Sequence, residues 1–292
     1  MKKCLLILAV LILAACTALG ALACSNVNQI NFISVVARDY ERFSYTVYEK
    51  GEADDMTPIG TFVYTFHRLQ NADGGEIVYP INGKEYTLTS GGVIDTQLTV
   101  TAGKYAGENV HATVLFQNAY SPIASYKVYN AYSDGAADTQ RSYTSEIDYT
   151  AKKTISMNVN GREQSFKKPG YCYDNDTLYS LARGSDITRS SYTLSVAGVD
   201  NLQGGTRTVG MGLMSKTVSL TIPCMGEEPQ STVCVVLTAG AQYGVGTSAY
   251  IYFVPSYTHV DSQNRTVDLN KVPVRMDEGN YIYLLDAIST EE

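Results

Sequence analysis

The 292-residue chain has no tryptophan, only three histidines and, past residue 23, no apolar run long enough to cross a bilayer. Charge is scarce and tilted toward acid: 22 Lys and Arg stand against 29 Asp and Glu, a net of −7 at pH 7. That sign opposes phosphate backbones, so no nucleic-acid partner is expected. Pro-rich and Ser-rich linkers, blocks of like charge and repeats of fixed period are also missing, which removes the marks of a multidomain string or a solenoid. No HExxH, GxSxG or CxxC occurs, and the pairs Gly74-Gly75, Gly91-Gly92 and Gly204-Gly205 follow no phosphate-binding arrangement. Neither catalysis nor a cofactor is expected, and no metal site.

What is present begins with the amino terminus. Met1-Lys2-Lys3 is basic, and Cys4 to Ala23 carries no charge, as in a secretory leader. Leu13-Ala14-Ala15-Cys16 resembles the lipobox of bacterial lipoproteins, in which the cysteine thiol receives a diacylglyceryl group. The expected organisation is a signal peptide over 1–15, a membrane tether over 16–35 with Cys16 lipidated, and a folded domain over 36–288. Ala21-Leu22-Ala23 before Cys24 is the alternative site, either as a second lipobox or as the cleavage site of a secreted protein. An uncut leader, with Leu5 to Ala23 crossing the membrane as a helix, stays open as well.

The body holds three cysteines, Cys172, Cys224 and Cys234, so at least one thiol is unpaired within the chain. Cys224 and Cys234 flank Pro229 symmetrically, and a hairpin closed by Met225 to Val233 would bring them opposite each other as a disulfide. Alternation opposes this, because Val218, Leu220 and Ile222 turn even positions inward whereas Val233, Val235 and Leu237 turn odd ones inward. Both outcomes remain open.

Period-two alternation runs through the body. It is clearest in Thr61 to His67, where Phe62, Tyr64 and Phe66 share one face. Phe43 to Val47, Val110 to Phe116, Tyr143 to Tyr149, Thr217 to Ile222, Tyr250 to Val254, Val272 to Met276 and Tyr281 to Leu285 repeat it. Asn82-Gly83 and Asn160-Gly161 tolerate the positive φ of a type I′ turn and mark hairpins. Only Asp174 to Arg183 has a helical pattern, with Asp174 or Asp176 capping, Leu178, Leu181 and Ala182 as an apolar stripe, and Gly184 ending it. The expected fold is mainly β: one large, strongly curved antiparallel sheet, a half-barrel, with one short helix near 174–183. Two β-sandwich domains divided near Gly184 to Ser190 are the alternative.

Gly60-Thr61 opening an aromatic strand, Tyr143 to Tyr149, Tyr173-Asp174-Asn175-Asp176-Thr177-Leu178 running into Leu181-Ala182-Arg183, and Val272-Pro273-Val274-Arg275 together resemble an uncharacterised bacterial family, the domain of unknown function three-one-zero-eight. That family is similar in architecture to the periplasmic lipoprotein carrier and the outer-membrane lipoprotein receptor. The resemblance spans roughly residues 40 to 288 and implies a half-open antiparallel barrel with an apolar cavity for acyl chains. Tyr192 to Thr221 has no counterpart, and the helical lid is nearly absent.

His67, His111 and His259 are far apart in sequence and read as strand-face histidines. Cys172, near the helix start, reads as a structural thiol more readily than an activated one. Asp174-Asn175-Asp176 lacks the glycine and glutamate of a helix-loop-helix calcium loop, and capping explains it. The 23 tyrosines are the one unusual feature, since an amphipathic ring can line a wet cleft, bind a sugar ring, form an interface, or simply cover a broad β surface. The first expectation is therefore a lipid-anchored extracytoplasmic module that binds or carries an apolar or amphiphilic ligand on Phe62, Tyr64 and Phe66. The alternative is a structural or adhesive surface protein contacting glycan or another envelope protein, and an envelope hydrolase stands third. An apolar cavity favours the first, and a filled core with a tyrosine patch the second.

Overall fold

The computed structural model describes residues 39–50, 57–186, 191–214, 217–238 and 248–291. Cys16, Cys24 and the expected tether lie outside the described residues. In chain order the strands are β1 (Tyr40–Glu49), β2 (Pro58–Gln70), β3 (Ile77–Ile81), β4 (Lys84–Leu88), β5 (Ser90–Val100), β6 (Asn109–Gln117), β7 (Ser121–Asn130), β8 (Tyr132–Ser133), β9 (Ala136–Ala137), β10 (Tyr143–Asp148), β11 (Thr154–Val159) and β12 (Arg162–Lys167). After β13 (Tyr173–Asp174) come a 3₁₀ turn (Asn175–Thr177) and helix α1 (Leu178–Gly184). The second half follows with β14 (Tyr192–Asp200), β15 (Gln203–Leu213), β16 (Val218–Leu220), β17 (Gln230–Thr238), β18 (Ser248–Val260), β19 (Thr266–Glu278) and β20 (Tyr281–Ser289).

Sixteen of these strands make one sheet, ordered β12-β11-β10-β7-β6-β5-β2-β1-β20-β19-β18-β17-β15-β14-β13, with β16 beside β17. Nearly every neighbour is antiparallel, as short hairpin connections require, and only β13 and β14 run parallel. The first strand pairs with the last, Tyr45 opposite Leu285, so the two halves of the chain are zipped into one sheet rather than two sandwiches. Both Asn-Gly turns form as expected: Asn82 and Gly83, and Asn160 and Gly161, all have positive φ.

The sheet curls until its two ends touch through side chains without pairing. Ile155 and Met157 of β11 share a buried cluster with Ala197 of β14, and a Cβ on Gly204 of β15 would overlap the Met157 sulfur. The result is a strongly curved, unclosed sheet.

Its concave side is occupied by the chain itself. All seven residues of α1 are buried, so the expected apolar stripe of Leu178, Leu181 and Ala182 is only one side of a helix enclosed all round. The helix is also shorter at its start than the sequence suggests, because Asn175–Thr177 winds as 3₁₀ with the Asp174 carboxylate accepting from the Asp176 N–H. Gly184 is the last helical residue, and the chain leaves through extended Ser185 without the expected left-handed glycine cap.

The Cys224–Cys234 disulfide does not form; Cys172, Cys224 and Cys234 are free thiols. Register is the reason. The hairpin pairs Leu220 with Gln230, so Cys224 falls in the loop, within the 3₁₀ turn Pro223–Met225, while Cys234 sits buried in β17 opposite Tyr252. Burial raises the Cys172 thiol to about 12 and those of Cys224 and Cys234 to about 11, which keeps all three protonated at neutral pH.

Candidate functional site

Phe62, Tyr64 and Phe66 do share the inner face of β2, as alternation requires, and Phe66 also edges, with Phe116 and Tyr120, an open cleft of about 330 Å³. They are 1%, 5% and 5% exposed and belong to the main core. Phe62 meets Tyr179 of α1 edge-on, the Tyr64 hydroxyl bonds Ser180, and Phe66 lies against Phe116. The expected ligand residues Phe62, Tyr64 and Phe66 are thus packed by α1 and by Phe116 within the core.

Polar groups fasten that filling in place. Glu41 of β1 forms a buried ion pair with Arg183, whose guanidinium also donates to the Asn270 carbonyl and lies over the Phe43 ring. Lys127 of β7 pairs with Asp176 at 2.8 Å. Ser125 and Tyr149 donate to Asp174 Oδ2 at 2.6 and 2.7 Å. Burial first, and then the Asp176 charge, raise the Asp174 carboxyl to about 6, partly offset by those two donors. This constellation is enclosed and mutually satisfied.

The outer face is different. Because side chains alternate, the register fixes what lies side by side there. One row runs Arg42, Thr65, Asp95, Thr113, Tyr126 across β1, β2, β5, β6 and β7, and the next runs Tyr40, His67, Val93, Leu115, Ala124. The β3–β4 hairpin folds over this surface. Ile81, Tyr86 and Leu88 bury themselves against Leu69, Val93, Leu115, Ile123 and Ala124 in a second small core. Asn82 bonds Glu146 and Lys84 pairs with Asp148, which pins the hairpin tip to β10.

Between the hairpin and the part of these rows it leaves uncovered lies a cleft of about 510 Å³. Tyr40, Tyr79 and Tyr126 enter it from three different strands, with Thr65, Asp95, His111, Thr113 and Asn82 as its polar groups. Asp95 is fixed rather than mobile: Oδ2 lies 2.8 Å from His111 Nε2 and accepts from the Thr113 hydroxyl at 2.9 Å. Oδ1 accepts from Gln97 at 3.3 Å, a long bond that leaves acceptor capacity directed outward. The Asp95 side chain is 30% exposed. Among the described residues, neither lysine nor arginine lines the cleft. Such a surface can stack an apolar ring face and hydrogen-bond a substituent, which is what a specific small-ligand site requires.

Of the residues singled out from sequence, His67 and His111 are brought into this one cleft, while His259 lies on β18 away from it. Asp95, Tyr40, Tyr79 and Tyr126 were not singled out. All four fall outside the segments read as strands from the sequence, and only the register brings them together. The chain matches no family model and no curated protein, so the likeness to the domain of unknown function three-one-zero-eight rests on its short segments alone. Among solved structures it is similar to a beta-barrel-like protein of domain of unknown function DUF1849 from Brucella abortus. Identity is 10%, over 87% of this chain and 98% of that one, with a TM-score of 0.44; the likeness carries no assignment of function.

Proposed function

We propose that the protein is an extracytoplasmic binding module, tethered to a bacterial membrane through acylated Cys16, that takes its ligand in the outer cleft. The tether is supported by Leu13-Ala14-Ala15-Cys16 after a basic and apolar leader. The observation that carries the binding reading is Asp95, a carboxylate held by His111 and Thr113 in a cleft faced by tyrosines from three strands. Pre-positioned polar groups on strands, rather than on loops, are what a rigid site needs.

The carrier reading, with an apolar or amphiphilic ligand on Phe62, Tyr64 and Phe66, would need α1 displaced. That exposes the Glu41–Arg183 and Lys127–Asp176 pairs to separation, and a buried charge without its partner costs about 3–5 kcal/mol. The filled interior therefore favours the surface-binding reading. Intact-mass spectrometry of the mature protein tests the tether: a chain starting at acylated Cys16 supports it, and one starting at unmodified Cys24 or at Met1 refutes it. Binding is tested by mapping: side-chain resonances of Tyr40, Tyr79 and Tyr126 should move when a ligand is added, and movement confined to the concave side would refute the cleft.

A further inference from the structure

The chemistry of the cleft narrows the class of ligand, on the reading that the cleft is the binding site. Acyl chains fit poorly, because the Asp95 carboxylate and the Thr65 hydroxyl would lose water without gaining partners. Anionic ligands such as phosphates and carboxylates fit poorly too. Among the described residues no lysine or arginine lines the cleft; the nearest in the row, Arg42, stands beyond Thr65 at its edge, and the charge within the lining is the Asp95 carboxylate. What remains is a neutral molecule with apolar faces and hydroxyls at its rim.

A pyranose ring has that form. Its axial C–H groups make an apolar face that stacks on an aromatic ring, and its equatorial hydroxyls pair with fixed acceptors and donors. Tyr126 stands in the cross-strand row beside Thr113, which is itself beside Asp95. Ring platform, hydroxyl and carboxylate thus follow one another at inter-strand spacing, about 4.8 Å apart. Asp95 Oδ1 offers its spare acceptor lone pair to a sugar hydroxyl, while His111 and Thr113 hold Oδ2 and keep the carboxylate from rotating away. Tyr79 and Tyr40 extend the aromatic surface on either side, and Asn82 adds an amide at the hairpin tip. From this arrangement we infer that the outer cleft binds a neutral glycan, with a pyranose stacked on Tyr126 and hydrogen-bonded to Asp95.

The chain carries its own reporters, since two of its three histidines line the cleft and the third does not. The full chain is titrated with maltotriose, cellotriose and chitotriose while the three imidazole resonances are followed by NMR. At least one saccharide should move His67 and His111 and leave His259 in place. Tyr126→Ala and Asp95→Asn should each weaken that response at least tenfold; the partly exposed Asp95 should leave the thermal midpoint in place, whereas Tyr126, which packs against the small core under the hairpin, should lower it without unfolding the protein at the titration temperature. If choline or laurate moves the same two resonances and no saccharide does, the cleft is a ligand site and the glycan assignment is wrong. If no probe moves His67 or His111, both the assignment and the cleft reading fail. Saccharide shifts that survive Tyr126→Ala and Asp95→Asn would likewise overturn the assignment.

Discussion

Two clusters in this molecule are made of the same side-chain types and differ in what is left over. Inside the curve, Asp174 gathers two hydroxyl donors, from Ser125 and Tyr149, and a backbone N–H, while Asp176 pairs with Lys127. Outside, Asp95 gathers His111, Thr113 and a long bond from Gln97, beside Tyr126. The inner carboxylate is 1% exposed and saturated by the chain's own plug. The outer one is partly exposed, and one of its oxygens accepts only a long bond. A carboxylate, hydroxyls and tyrosines therefore do not by themselves mark a site. The inner set fixes a helix; the outer set is held in position on a partly exposed face.

The sharpest way to break this comparison is to remove one carboxylate from each side. Glu41→Ala leaves Arg183 buried and unpaired and should destabilise by about 3–5 kcal/mol, seen as a shift of the denaturant midpoint. Asp95→Ala, whose partner His111 is half exposed, should change stability by less than about 1 kcal/mol. Equal effects would erase the distinction. Phe62→Ala should fall near the upper figure as well, about 3–5 kcal/mol, because a ring enclosed by Tyr45, Tyr179 and Tyr283 leaves a cavity. A loss under about 1 kcal/mol would mean the interior is looser than a packed core.

The next effect depends on pH. The folded value for Asp174, about 6, lies above the unfolded value of about 3.9, through burial and the facing charge of Asp176. Its contribution to stability is complete below pH 4 and is lost as pH rises through 6, by up to about 3 kcal/mol. Urea midpoints measured from pH 4 to 7 should fall in the wild type and flatten in Asp174→Asn. A wild-type curve rising over that window, with the variant unchanged, would contradict the assignment. The smallest effect is at a turn. Leu202 joins β14 to β15 with φ at 58°, where a branched side chain is strained. Leu202→Gly should raise the thermal midpoint, by roughly 0.5–1 kcal/mol of stability.

The strand content was legible in the sequence because alternation is a local signal: Phe62, Tyr64 and Phe66 fall on one face whatever the rest of the chain does. The Asn-Gly turns were legible for the same reason, since a backbone needing positive φ selects its residues directly. What lies on the concave side was not. The sequence marks Leu178, Leu181 and Ala182 as apolar, but only the pairing of β1 with β20 wraps the sheet round the helix and buries Arg183 and Ser180 too. The disulfide failed on register, a long-range quantity that symmetry about Pro229 does not determine. The outer cleft failed for a related reason. Asp95, Thr113 and Tyr126 are separated by 18 and 13 positions in the chain and become neighbours only through two antiparallel registers.

Amide hydrogen exchange of the full chain, with and without a saturating neutral oligosaccharide, tests the central claim most directly. Slowed exchange in the hairpin over 77–82 and across 93–95 and 111–113, with 43–47 and 178–184 unchanged, is the predicted result. New protection on α1 with none in the hairpin or across 93–95 and 111–113 would contradict it and return the ligand to the concave side.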